Sequence, residues 1–91
     1  MRVARKFVIA GMVQGVGYRF FTQRAAARHQ VVGYVRNLPD GRVESFVEGS
    51  PRAVDAFRSD FLTGPNYAVV AQFEEEVLDP TNLYSSFRVE K

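Results

Sequence analysis

The sequence predicts an α+β domain in which two helices cover one face of an antiparallel β-sheet. Strand-like and helix-like segments alternate in the order β-α-β-β-α-β, followed by one more strand-like segment. The chain has 91 residues, of which 46% are hydrophobic and 24% charged, and these values fit one globular core. We therefore expect a single domain over residues 1–91.

The first half of the chain predicts a strand, a loop, a helix and a second strand. Residues 3–13 are rich in Val, Phe and Ile, which favours a strand, and glycines then mark a loop. Residues 18–29 favour a helix, because alanines occupy the centre of the segment. Residues 31–37 predict the second strand. The apolar residues of the helix recur with helical spacing and predict its buried face: Tyr18, Phe21 and Ala25.

The second half predicts a hairpin, a helix and two further strands. Leu38-Pro39-Asp40-Gly41 is typical of a tight turn, and residues 42–48 alternate as a third strand. Ser50 followed by Pro51 is typical of a helix start, and Gly64-Pro65 predicts the end of that helix. Two more strands are expected, over residues 67–75 and 86–90.

This element order is that of a ferredoxin-like split βαβ sandwich with an additional short C-terminal strand. One helix connects the first two strands, so they run in the same direction, and the third strand lies between them. The loop before the first helix and the end of the second strand then lie at one edge of the sheet. Two strand spacings, roughly 10 Å, separate them, a gap that a long side chain and a small anion could bridge.

Composition excludes several kinds of chemistry. The chain has no cysteine, which excludes disulfides, cysteine-based zinc sites and thiol nucleophiles, and its one histidine, His29, cannot form a histidine-rich metal site. The apolar run of residues 7–13 is too short to span a membrane, and no signal-peptide cleavage site follows it. We therefore expect a cytoplasmic protein that does not bind membranes.

Charge is distributed unevenly, although the net charge is only +2. Residues 1–42 carry eight basic residues and one acidic residue, whereas residues 43–91 carry four basic and nine acidic residues. Two differently charged solvated surfaces would account for this distribution. An anion-binding site built from the first half would also account for it, because the local field attracts a ligand. Both interpretations stay open.

Two segments carry residues suited to binding and attacking a phosphoryl group. In residues 14–19 (QGVGYR), glycines let backbone amides converge at a helix start, and Arg19 adds a planar guanidinium that can bind two phosphate oxygens. Asn37 ends the second strand, and a carboxamide can orient a water because it both donates and accepts hydrogen bonds. Taken singly, an ordinary strand-to-helix turn and a turn-forming asparagine would give the same patterns.

Together these segments resemble the two signature motifs of the acylphosphatase family. Residues 9–19 (IAGMVQGVGYR) are similar to the first motif, and residues 33–43 (GYVRNLPDGRV) are similar to the second. The spacing of the motifs and the chain length also fit, and Gly64-Pro65 and residues 87–89 extend the similarity over nearly the whole chain. Tyr18 stands where the family often has phenylalanine.

The resemblance implies hydrolysis of the carboxyl–phosphate bond of acylphosphates, which yields a carboxylate and inorganic phosphate. By matched position, Arg19 would bind the phosphoryl group and Asn37 would orient the attacking water. No metal or organic cofactor is implied, and we expect a monomer that binds acylphosphate and inorganic phosphate but no nucleic acid. The backbone amides that would bind the phosphoryl oxygens are those of Gly15, Val16, Gly17, Tyr18 and Arg19.

The chemistry of this reaction agrees with the composition. The leaving group is a carboxylate, a weak base that departs without strong protonation, so no general acid is needed. Phosphoryl transfer depends mainly on positioning and charge stabilisation, which backbone amides and an arginine can supply. The substrate's own phosphate could accept the proton of the attacking water.

Three other functions are compatible with the predicted fold. We expect a carbamoyl-phosphate-handling domain to be followed by further modules, whereas this chain ends at Lys91. An RNA-recognition domain would stack bases on aromatic residues such as Phe7 and Phe46, but residues 42–48 lack the expected glycine–aromatic run and contain two glutamates. A small-molecule regulatory domain would have no reason to bring an arginine and an asparagine together.

Overall fold

Two helices and five strands make up the computed structural model of the protein, which describes all residues from Met1 to Lys91. The elements follow the predicted order, and both helices fall short of the length and apolarity that a membrane-spanning helix requires. Their bounds are β1 Val3–Met12, α1 Tyr18–His29, β2 Val32–Asn37, β3 Val43–Gly49, α2 Pro51–Thr63, β4 Val69–Leu78 and β5 Phe87–Glu90.

All five strands belong to one sheet in the order β4-β1-β3-β2-β5. As predicted, β3 lies between β1 and β2, and it pairs with both in antiparallel orientation. The additional strand β5 pairs with β2 in parallel, so the complete sheet is mixed. The predicted α+β class with two helices on one face is confirmed, and β1 and β2 end at the same edge.

One hydrophobic core lies between the sheet and the two helices. Phe7 of β1 packs against Phe57 and Phe61 of α2, with ring centroids 6.4 and 5.7 Å apart. Tyr18, the first residue of α1, packs edge-on against Phe61 and donates a hydrogen bond to its carbonyl oxygen. Burial raises the pKa of the Tyr18 hydroxyl far above its ordinary value, so the group stays protonated and keeps donating. The start of α1 is thereby fixed to α2.

The strand β4 extends further than predicted. It ends at Leu78, beyond the expected end at residue 75, and includes the three glutamates 74–76. Pairing with β1 places basic side chains of β1 beside these glutamates, and basic side chains of the β2–β3 turn and of α2 also lie close to them. The opposite charges stabilise a strand that contains three consecutive glutamates. The ion pairs are Arg42–Glu74, Arg5–Glu75, Arg58–Glu75 and Lys6–Glu76.

The connection from β4 to β5 crosses the sheet face opposite the helices, because these strands lie at opposite edges. Glu48 of β3 is completely buried under it and accepts hydrogen bonds from the amides of Thr81 and Asn82 and from the Thr81 hydroxyl. Arg2 lies 3.9 Å from the same carboxylate. The connection is therefore attached to the sheet at a buried charge.

The aromatic residues that an RNA-recognition domain would use are not free to stack on bases. Phe7 is completely buried in the core. Phe46 lies on the opposite face, but it is only 6% exposed and is packed between Tyr34 and Tyr84. Neither of the two aromatic residues on which the RNA-binding alternative depended is therefore accessible to a base.

We predict that Glu48→Gln lowers the free energy of unfolding by about 1–3 kcal/mol at pH 7, since it disrupts hydrogen bonds to a buried charge. Burial alone would raise the pKa of Glu48, but the hydrogen bonds from Thr81 and Asn82 and the charge of Arg2 hold it below its ordinary value of 4.5. A depressed folded pKa gives stability that is complete above the unfolded pKa and is lost as pH falls through the folded pKa.

Urea unfolding of both proteins between pH 7 and pH 3 measures this effect. The difference should be constant well above pH 4.5 and should shrink below it. The matched control is Glu76→Gln, whose side chain is 59% exposed and only 3.8 Å from Lys6, and which we expect to cost less than about 0.5 kcal/mol. Equal losses for the two variants would contradict the anchoring role of Glu48.

Candidate active site

An open cavity of about 550 Å³ lies at the edge of the sheet where β1 and β2 end. The loop before α1, the first turns of α1, the end of β2 and the end of the chain all line it. Of the predicted site residues, the cavity is lined by Gly15, Gly17, Tyr18, Arg19 and Asn37. Val16 is the exception, because its side chain packs against the hydrophobic core.

The loop before α1 presents backbone amides without internal partners. Gly15 and Gly17 both have φ +76°, a left-handed conformation that glycine adopts without strain. Gly17 caps α1 with no side-chain hydrogen bond, and the first turn contains no acidic residue. The amides of residues 17–20 therefore have neither an acceptor within the helix nor a neutralising side chain. Such an arrangement favours an anion.

Arg19 lies in the first turn of α1 and keeps its positive charge uncompensated. No carboxylate lies within 4.0 Å of its guanidinium. Its Nη1 instead donates a 3.0 Å hydrogen bond to the backbone carbonyl oxygen of Glu90 in β5. The terminal strand thus orients this side chain without neutralising it.

The other basic residues of the first half are mostly paired. Strand pairing brings the two halves of the chain together. Six of the eight basic residues form ion pairs with acidic residues of the second half. The interpretation as two separate charged surfaces is therefore wrong for most of these groups. Arg19 and Arg24 are the two without such a partner. The six paired residues are Arg2, Arg5, Lys6, Arg28, Arg36 and Arg42.

Asn37 is the last residue of β2 and lines the cavity together with the loop. Its backbone is paired with Val43 of β3, which fixes its position. Its side chain forms no hydrogen bond within the protein, and its polar atoms are not buried. The carboxamide is therefore free to bind a water or a ligand.

Sequence reasoning missed Gln14, Val89 and Lys91 among the residues that line this cavity. Gln14 donates hydrogen bonds from Nε2 to the carbonyl oxygens of Leu38 and Arg42, both at 2.9 Å. Val89 and Lys91 line the cavity because β5 runs beside β2. Gln14 was visible within the first motif, whereas no local pattern signals the pairing of β5.

His29 lies outside the cavity. Its Nε2 is 2.7 Å from the Asp60 carboxylate, and Arg28 contacts the same carboxylate at 2.9 Å, so the end of α1 is linked to α2. The histidine therefore has a structural contact and no contact with Arg19 or Asn37.

A model of the family described as Acylphosphatase matches residues 5–89 of the chain. The chain belongs to the acylphosphatase family. An acylphosphatase of Solibacter usitatus (strain Ellin6076) is 43% identical over 86 residues, which cover 94% of this chain and 88% of the relative. An acylphosphatase of Actinobacillus succinogenes is 40% identical over 89 residues, which cover 98% and 99% of the two chains.

Solved structures of acylphosphatases have the same fold. The crystal structure of acylphosphatase from Bacillus subtilis superimposes with a TM-score of 0.93 at 28% identity, over 98% of this chain and 99% of that one. The predicted family, fold and activity are thereby confirmed. The protein is an enzyme that hydrolyses acylphosphates.

We predict that Gly17→Ala lowers the free energy of unfolding by about 1–2 kcal/mol, because the left-handed conformation strains a residue with a Cβ atom. Nothing lies within 4 Å of that Cβ position, so the loss is conformational rather than steric. Gly17→Asn should lose less, because asparagine adopts this conformation more readily. Urea unfolding compares the three proteins, and equal stability of the alanine variant and the natural protein would refute the strained cap.

Proposed function

We propose that Arg19, Asn37 and the amides of residues 15–19 carry out acylphosphate hydrolysis in the cavity where β1 and β2 end. The observation that supports this assignment is that one open cavity combines a guanidinium without a carboxylate partner and a carboxamide without an internal hydrogen bond. The two groups line the same cavity. In this proposal, Arg19 binds the phosphoryl group and Asn37 binds the attacking water.

In the proposed complex, the phosphoryl oxygens accept hydrogen bonds from the loop amides and from the guanidinium of Arg19. Val16 contributes through its amide alone, since its side chain packs on the core. These donors are held in place before the substrate binds, so little reorganisation is needed as negative charge moves in the transition state. Oriented amides and an arginine together supply several kcal/mol of such stabilisation.

The reaction then needs one oriented water. Asn37 accepts a hydrogen bond from the water and directs its oxygen towards phosphorus. A bond forms between the water oxygen and phosphorus while the bond from phosphorus to the carboxylate oxygen breaks, and the electron pair leaves with the carboxylate. No Asp, Glu or His side chain lines the cavity, so in this proposal the proton of the water passes to a phosphoryl oxygen.

The same proposal covers the ligands and the assembly state. Inorganic phosphate is the product, and it competes with the substrate because it offers the same oxygens to the amides and Arg19. We also propose that the protein is a monomer. The cytoplasmic location stays a prediction.

We predict that Arg19→Ala lowers kcat/KM for benzoyl phosphate by about 10²–10³-fold, as expected for loss of a preorganised donor to the transition state. The inhibition constant for inorganic phosphate should rise as well, because Arg19 contacts the oxyanion in both complexes. The assays are done in buffer containing EDTA, so that no metal-dependent phosphatase contaminant contributes to the measured hydrolysis.

The matched control is Arg24→Ala. Arg24 lies on the same helix and also lacks a carboxylate partner, but it does not line the cavity. We expect its removal to change kcat/KM only slightly. Near-normal hydrolysis by the Arg19 variant, or an equal loss in the Arg24 variant, would refute the proposed role of Arg19.

We predict that Asn37→Ala lowers kcat by about 10²-fold, the scale of loss that follows misplacement of a reacting group. The inhibition constant for inorganic phosphate should change little, because this substitution leaves the proposed phosphate donors, Arg19 and the loop amides, in place. Steady-state kinetics with phosphate as competitor measures both quantities. A parallel loss of phosphate binding would show that Asn37 binds the phosphoryl group rather than the water.

A further inference from the structure

Gln14 connects the loop before α1 directly to the turn after β2. It precedes Gly15 in the loop, and its Nε2 hydrogen bonds reach Leu38, which follows Asn37, and Arg42 at the other side of the same turn. No other hydrogen bond joins residues 13–17 to residues 38–42. A single side chain therefore links the phosphate-binding loop to the turn beside Asn37.

This link matters because β1 and β2 are not neighbours in the sheet. β3 lies between them, and the ladder of β1 with β3 ends at Ile9, so no backbone hydrogen bond joins the loop before α1 to the turn after Asn37. The turn after Asn37 is rigid in itself, because Leu38 and Arg42 are joined by a 2.8 Å backbone hydrogen bond and the Gly41 amide bonds to Leu38. Beyond the ends of the ladders, the hydrogen bonds of Gln14 are what join this turn to the loop.

The chemistry of Gln14 suits positioning and not phosphate binding. Its two hydrogens on Nε2 are both engaged by backbone carbonyl oxygens, so it has no donor left for a phosphoryl oxygen. The remaining oxygen is an acceptor, which does not attract an anion. Glutamate has no donor for these carbonyls, and asparagine is one methylene shorter.

We propose that Gln14 is a positioning residue that sets the distance between the bound phosphoryl group and the water oriented by Asn37. The inference rests on the proposed function, because it assigns Gln14 an effect that passes through Asn37. The energetic basis is that small displacements of a reacting group cost large factors in rate. Gln14 then affects kcat while leaving the binding of inorganic phosphate to the loop intact.

The experiment compares Gln14→Met, which keeps the length of the side chain and removes both donors, in the natural background and in the Asn37→Ala background. We expect kcat for benzoyl phosphate to fall about tenfold or more in the natural background. The inhibition constant for inorganic phosphate should stay within about twofold. In the Asn37→Ala background the same substitution should leave kcat unchanged, because residues that act as one unit are not additive.

The control is Gln72→Met, an exposed glutamine on β4 that lines no part of this cavity, and we expect natural kinetics for it. Urea unfolding shows whether Gln14→Met is folded, and Gln14→Asn is the second, more conservative variant if it is not. Equal factors of loss in both backgrounds, a parallel loss of phosphate inhibition, or an unchanged kcat would each overturn the inference. If Asn37→Ala itself leaves kcat unchanged, the proposed function fails rather than the role of Gln14 alone.

Discussion

The position of β3 between β1 and β2 is the constraint on which the candidate active site depends. Antiparallel pairing on both sides of β3 makes β1 and β2 run in the same direction, so their ends meet at one edge of the sheet. The loop before α1 and Asn37 therefore line the same cavity. Tyr18 then holds the start of α1 against α2, which fixes the direction in which the loop amides point.

Much of this arrangement follows from the sequence, because connectivity and apolar periodicity determine it. Val54, Phe57 and Phe61 recur in α2 at helical spacing and are all buried. The order of the elements already places Arg19 and Asn37 at one edge of the sheet. Features that depend on distant contacts could not be predicted. The pairing of β5 with β2, the burial of Glu48 and the two hydrogen bonds of Gln14 join segments that no local pattern connects.

The uneven charge of the chain has a similar explanation. From the sequence, a basic first half and an acidic second half were compatible with either two surfaces or an anion site. Folding resolves the ambiguity, since strand pairing places most of these charges opposite one another across the sheet and between the helices. Exposed pairs of this kind contribute little stability each. Their larger effect is to leave Arg19 as the arginine of the cavity that has no carboxylate partner.

Arg19 is held by a backbone carbonyl oxygen, that of Glu90, and this explains how the site can be both ordered and attractive to an anion. A carboxylate in that position would fix the guanidinium equally well, but it would neutralise its charge and compete with a phosphoryl group for the same hydrogens. The carbonyl oxygen of Glu90 accepts one of the five guanidinium hydrogens and carries no net charge. The side chain is thereby oriented, and its remaining donors stay available. Orientation by backbone rather than by a counter-charge is thus what lets a small domain present a full positive charge beside its loop amides.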